Sequence, residues 1–112
     1  MNEKYIKGKY ILDRDGNPIM VTSAKQWCGF FERTNARCVA KEKAGKSLVS
    51  TVFLCIDHGF GKGPPVLWET MVFDGKMDGE IERCAGNLEQ AQAMHEEMMK
   101  RVCRAEGVKY DP

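Results

Sequence analysis

The chain has 112 residues, 43% hydrophobic and 29% charged, which is enough for one buried core and too little for two, and which excludes a disordered, collagen-like or coiled-coil protein. Seventeen basic against sixteen acidic side chains leave a formal net charge of +1, so no strong field gathers polyanions, and general nucleic-acid binding is disfavoured. A local basic patch for one nucleotide or a short phosphate-bearing ligand needs only a few donors and remains compatible with that balance.

In chain order, Tyr5 to Leu12 alternates as a strand, and Asp13-Arg14-Asp15-Gly16-Asn17-Pro18 is dense with turn formers, which predicts a hairpin with a short extended return. Thr22 or Ser23 caps a helix whose Ala24, Trp27, Cys28 and Phe31 make one apolar stripe, ending near Thr34-Asn35. Arg37 to Lys43 reads as a weak strand closed by a turn over Ala44 to Ser47. Leu48 to Ile56 and Val66 to Phe73 are rich in β-branched and aromatic residues and are predicted to pair antiparallel. Apolar side chains fall on both faces of that hairpin, so each face is expected to be covered, by a helix on one side and a partner on the other. Asp74 to Gly79 reads as a turn and Glu80 to Ala85 as a polar edge strand. Asn87 then caps the last helix, with Gln90 completing a capping box and Leu88, Ala91, His95, Met98 and Val102 on one face. The tail from Gly107 to Pro112 is expected to fray. The fold class that follows is α+β over residues 1–112: a single domain with an antiparallel sheet of about four to five strands and two helices packed on it.

The five cysteines, Cys28, Cys38, Cys55, Cys84 and Cys103, contain no CxxC pair and lie in apolar stretches, which suits small reduced hydrophobes in a reducing cytoplasm. The N-terminal residues lack a signal-peptide pattern, and no apolar run reaches the length of a membrane span, so no membrane partner is expected. Met94, Met98 and Met99 form a flexible apolar group that suits a core gap, and with exposed edge strands it is also compatible with a homodimer.

Two glycine-rich stretches do not make nucleotide motifs. Gly45-Lys46-Ser47 lacks the first P-loop glycine, Ala40 standing in its place, and a strand follows where a helix is needed. Gly59-Phe60-Gly61-Lys62-Gly63 joins two antiparallel strands and presents no helix N-terminus to a pyrophosphate. What remains is the loop from Asp57 to Pro65, long for a hairpin connection. Its glycines let amides approach a ligand, Lys62 supplies a point charge, Phe60 or Trp68 a stacking face, and His58 a further polar contact. Glu69, in an otherwise apolar strand, is expected to share a face with Leu67, Met71 and Phe73, to lie opposite Phe53, and to pair with Arg83, Arg37 or Lys41. His95 lies on the apolar stripe of the last helix, where a hydrogen-bonded core histidine is the simpler account than a ligand. Asp57, His58, Glu69 and His95 are the set that imitates an acid-base or metal site, without an HxH or HxxxH spacing, and no GxSxG or Cys-His signature accompanies them.

Tyr10-Ile11-Leu12-Asp13 with Gly16-Asn17-Pro18, Trp27 with Phe30-Phe31-Glu32, Val49 to Leu54, Asp57-His58, Gly63-Pro64-Pro65 and Trp68 to Phe73 together resemble a widespread family of small phage and prophage proteins. The Ala91 to His95 spacing fits that family's closing helix, whereas Arg37 to Lys46 carries none of its pattern. The resemblance implies a viral gene product in the cytoplasm of a bacterial host, where small non-enzymatic proteins bind and disable a host factor. The leading expectation is therefore an accessory protein that binds a host protein or a small nucleotide signal, in an anti-CRISPR-like or nucleotide-sequestering role. Its ligand-binding residues would be His58, Phe60, Lys62, Trp68 and Glu69, with no cofactor and no metal. The alternatives are a small metal-assisted hydrolase or nuclease using Asp57, His58 and Glu69, and a virion structural component.

Overall fold

The computed structural model describes residues 8–59 and 63–111. The chain opens with a small hairpin of β1 (Tyr10–Leu12) and β2 (Pro18–Met20), followed by α1 (Ala24–Phe31) and a single turn of helix, α2 (Thr34–Arg37). A four-stranded antiparallel meander follows, β3 (Cys38–Ala44), β4 (Ser47–Phe53), β5 (Val66–Phe73) and β6 (Ile81–Ala85), in that spatial order, and α3 (Leu88–Glu106) closes the fold. The fold is α+β as predicted. The strands divide into two sheets rather than one, because among the described residues the pairing of the hairpin segment with the meander's β4–β5 connection is an isolated bridge between Lys9 and Ile56.

The β4 side chains alternate strictly between buried and half-buried, so Ser47, Val49, Thr51 and Phe53 turn toward α3 while Leu48, Ser50 and Val52 turn away. Helix α3 lays Ala91, His95, Met98, Met99, Val102 and Cys103 onto that face, the stripe its spacing predicts. Asn87 and Gln90 make the predicted capping box, each side chain bonding to the other's backbone amide. Phe53 and Trp68 sit 4.9 Å apart at the core centre, and Phe30 from α1 meets Phe53 edge-on at 6.0 Å.

Three expectations need correction. The Ala24, Trp27, Cys28, Phe31 stripe of α1 does not form the buried face: Phe30 alone is buried, Trp27 is half-buried, and Ala24, Cys28 and Phe31 are exposed. The helix is only eight residues long and lies beside the hairpin rather than across the sheet, so one large side chain anchors it. On β5 an irregularity between Val66 and Trp68 buries Leu67 and Trp68 in succession, which puts Glu69 on a face with Met71 and Phe73 but without Leu67. Glu69 consequently lies opposite Val52 and not Phe53. The C-terminal tail is also held, since Gly107 ends α3 at φ 71°, the Val108 amide reaches the Cys103 carbonyl, and Tyr110 packs on the lower core.

At the far end of the sheet Glu106 fastens two turns at once. Its carboxylate accepts from the Lys76 amide at 2.7 Å and from the Lys46 amide at 3.0 Å. Those backbone donors hold its pKa below the ordinary glutamate range. Gly75 makes the close approach feasible: it sits at φ 79°, and a Cβ there would come within 2.1 Å of the Ser47 hydroxyl.

Candidate functional site

The start of the connection from β4 to β5 is tied down by its neighbours. The Cys55 carbonyl accepts from the Tyr10 amide at 2.8 Å and from the Trp27 indole at 2.9 Å, and the Asp57 amide reaches the Gly8 carbonyl. Asp57 Oδ1 accepts from the Gly59 and Val66 amides at 2.7 and 2.8 Å, so this carboxylate closes the base of the loop. His58 is exposed and donates Nδ1–H to the Ile56 carbonyl at 2.8 Å, which orients its ring and leaves Nε2 as the acceptor in the neutral form. Phe60 and Lys62 lie outside the described residues.

Trp68 corrects the expectation of a stacking residue. It is 0% exposed and donates its indole N–H to the Gly86 carbonyl, so neither ring face meets a ligand. Glu69 pairs with Arg83 at 2.8 Å, one of the partners its position suggested, on the sheet face away from α3. The pair is a cross-strand neighbour and half open to water on the arginine side, so it adds little to stability. Asp57, His58 and Glu69 thus have separate structural partners, and no group of three or more His, Cys, Asp or Glu able to hold a metal occurs among the described residues.

The arrangement closest to a catalytic constellation was not read from the sequence. Glu42 on β3 hydrogen-bonds His95 Nε2 at 2.8 Å, His95 Nδ1 meets the Thr51 hydroxyl at 2.7 Å, and Thr51 meets the Thr70 hydroxyl. A carboxylate oxygen accepts from Nε2–H, which leaves Nδ1 to accept a hydrogen bond from the Thr51 hydroxyl. The order carboxylate, imidazole, hydroxyl is that of a nucleophilic triad. Thr51 and Thr70 are nevertheless 0% exposed and His95 is 4% exposed, so no substrate reaches the hydroxyl. The chain ties α3 to the middle of the sheet, the hydrogen-bonded core role foreseen for His95.

Beside the loop, α1 presents a surface that its apolar spacing did signal, but with the opposite orientation. Trp27 and Phe31, one helical turn apart, stack at 5.1 Å and 25°. The Lys9 ammonium stands 5.2 Å from the Trp27 ring, and the Arg37 guanidinium 4.4 Å from the Phe31 ring. Arg37 also donates Nε–H to the Phe31 carbonyl at 3.0 Å, which fixes its plane. Arg37 acts further on Cys55: burial pushes that thiol up to about 11, against which the guanidinium pulls down. Two aromatic rings and two cations thus form a preset surface joined to the loop through the Trp27–Cys55 bond. A groove of about 380 Å³ lies between the Asp13 to Gly16 turn, Phe30, Cys38 and Leu88. There Asp13 already accepts from the Asp15 and Asn17 amides.

Compared with known proteins, the chain matches no family model, no curated protein and no solved structure. No helix among the described residues is long and apolar enough to cross a membrane.

Proposed function

We propose that the chain is a non-catalytic accessory protein of phage or prophage type that binds a host factor or a small nucleotide signal in the bacterial cytoplasm. Its binding face is the side formed by α1 and the β4–β5 loop. The observation that carries this reading is the Lys9, Trp27, Phe31, Arg37 assembly: large rings at the surface between cations, beside an exposed His58, while the Glu42–His95–Thr51 chain is sealed. The ring edges and the Arg37 guanidinium suit a phosphate-bearing ligand or an acidic patch on a protein. Five free thiols, two of them exposed, suit a reducing compartment.

A hydrolase using Asp57, His58 and Glu69 gains no support, since the three are engaged apart from one another. Self-pairing of edge strand β3 is opposed by its own charges, because any two-fold register centred on Lys41, Glu42 or Lys43 sets like on like.

Native mass spectrometry of the chain purified from bacterial cells tests the proposal. A retained nucleotide or protein mass that disappears in Arg37→Ala, with melting temperature unchanged, is the expected result. A bare wild-type chain, or a retained mass indifferent to Arg37, would count against this face.

A further inference from the structure

We infer that two copies of this chain pair face to face through the open side of the β3–β6 sheet, a contact separate from the binding face just described. Helix α3 packs on one side of the sheet, against all four strands. The strand register puts Leu48, Val52, Met71, Phe73 and Ile81 on the other side. An antiparallel sheet with one face in water alternates apolar with polar residues. Here the two central strands turn only Ser50 and Glu69 outward as polar residues, and Glu69 is already paired with Arg83. Phe73 and Ile81 stay 42% and 40% exposed, and Leu48, Val52 and Met71 are half-buried. Contiguous exposed apolar side chains with a charged rim mark an interface.

The charges at the rim select the occupant and its orientation. Lys41 stands opposite Ser50 and Lys43 opposite Leu48, so both lysines border the apolar rows on the β3 side. Residues 37–46 carry four basic side chains against one acidic, and residues 74–82, at the opposite border, carry four acidic against one basic. One edge of the sheet is cationic and the other acidic, a pattern that a second copy complements. A two-fold axis across the strands would lay β3 over β3, cation against cation. An axis along the strands lays β3 of each copy over β6 of the other, so the favourable border forms twice. The row Lys41, Ser50, Met71, Ile81 crosses the whole sheet, and this axis therefore sets Lys41 over Ile81 of the other copy, next to Glu82. Joining β3 to β6 side by side would match the same charges but leave a free edge at each end, so that assembly does not close. Four strands about 4.8 Å apart and three outward rows about 6.8 Å apart cover roughly 400 Å² in plan, half of a standard partner surface, which sets the dimer at the weak end of specific association. Phe30 of α1 meets Phe53 on the α3 side of the sheet, so the binding face stays open on both copies.

Sedimentation velocity of the full chain from about 1 to about 300 μM is the test. The expected result is a shift from 12.7 kDa to twice that mass across the range, with no larger species. Phe73→Glu and Ile81→Lys change exposed positions, and each should weaken the dimer by about tenfold or more while leaving the melting temperature of the dilute monomer unchanged. Lys41→Glu or Glu82→Lys alone should weaken it roughly threefold at low salt, and the two together should restore it, because both sides of each border are then reversed. A chain that stays monomeric at every concentration would overturn the inference and leave the open face to another protein. A dimer that keeps its affinity in Phe73→Glu and Ile81→Lys, that grows beyond two copies, or whose charge reversals fail to rescue one another would overturn it as well.

Discussion

If the Glu42–His95–Thr51–Thr70 chain is structural, replacing Thr51 with Val should cost stability in a way that a surface change cannot. Valine keeps the volume but removes the hydroxyl, leaving His95 Nδ1 and the Thr70 hydroxyl without their partner in a region 0–4% exposed. Each orphaned buried polar group costs about 1–3 kcal/mol, so a loss of about 2–4 kcal/mol is expected, a large share of a small domain's 5–15 kcal/mol. In Thr51→Val with Thr70→Val one orphan disappears, and the double variant should be no less stable than the Thr51 single. The two substitutions would then couple by about 1–2 kcal/mol. Urea denaturation followed by tryptophan fluorescence measures this, with m unchanged if only the native state is affected. A Thr51→Val loss below about 0.5 kcal/mol, or losses that simply add, would refute the reasoning.

Because the Lys76 and Lys46 amides depress the pKa of Glu106 in the folded state, its contribution is fully present above the ordinary glutamate range and fades as pH falls through the lower folded-state value. Denaturation midpoints between about pH 5 and 2 should therefore fall less steeply for Glu106→Gln than for wild type; parallel curves would contradict this. Thiol reagents should label Cys28 and Cys38 quickly in the native protein, while buried Cys55 and Cys103 react only after denaturation. Fast native labelling of Cys55 would show that the loop opens. Gly75→Ala should destabilise by about 1–3 kcal/mol, since it meets the Ser47 hydroxyl and a positive φ together; an unchanged melting temperature would mean that the turn rearranges freely.

Long periodic segments were legible in the sequence. Helix α3 has its capping box and a 19-residue stripe, and β4 and β5 have dense β-branched runs, so both elements and their pairing followed directly. Short elements were not. An eight-residue helix shows an apolar stripe without saying whether it faces in, and α1 turned Trp27 and Phe31 outward because Phe30 took the core position. Trp68 follows the loop closely in the chain, but it shares the buried face of β5 with Thr70 and Val72 and packs against Phe53, a contact that its local sequence does not announce. The contacts of Thr51 with His95 and of Lys9 with Trp27 join residues far apart in the chain, and no local spacing announces either. The concentration of cations over residues 24–46 was the available signal for the α1 surface, hidden by a whole-chain charge near zero.

The central claim, that α1 and the β4–β5 loop form the binding face, is tested most directly by amide hydrogen exchange of the chain in bacterial lysate against the same chain in buffer. Slower exchange over residues 24–37 and 54–59 in lysate, with the outer face of β5 and β6 unchanged, is the result the account predicts. Protection confined to residues 69–83, with residues 24–37 exchanging as in buffer, would place the binding face on the open sheet and contradict it.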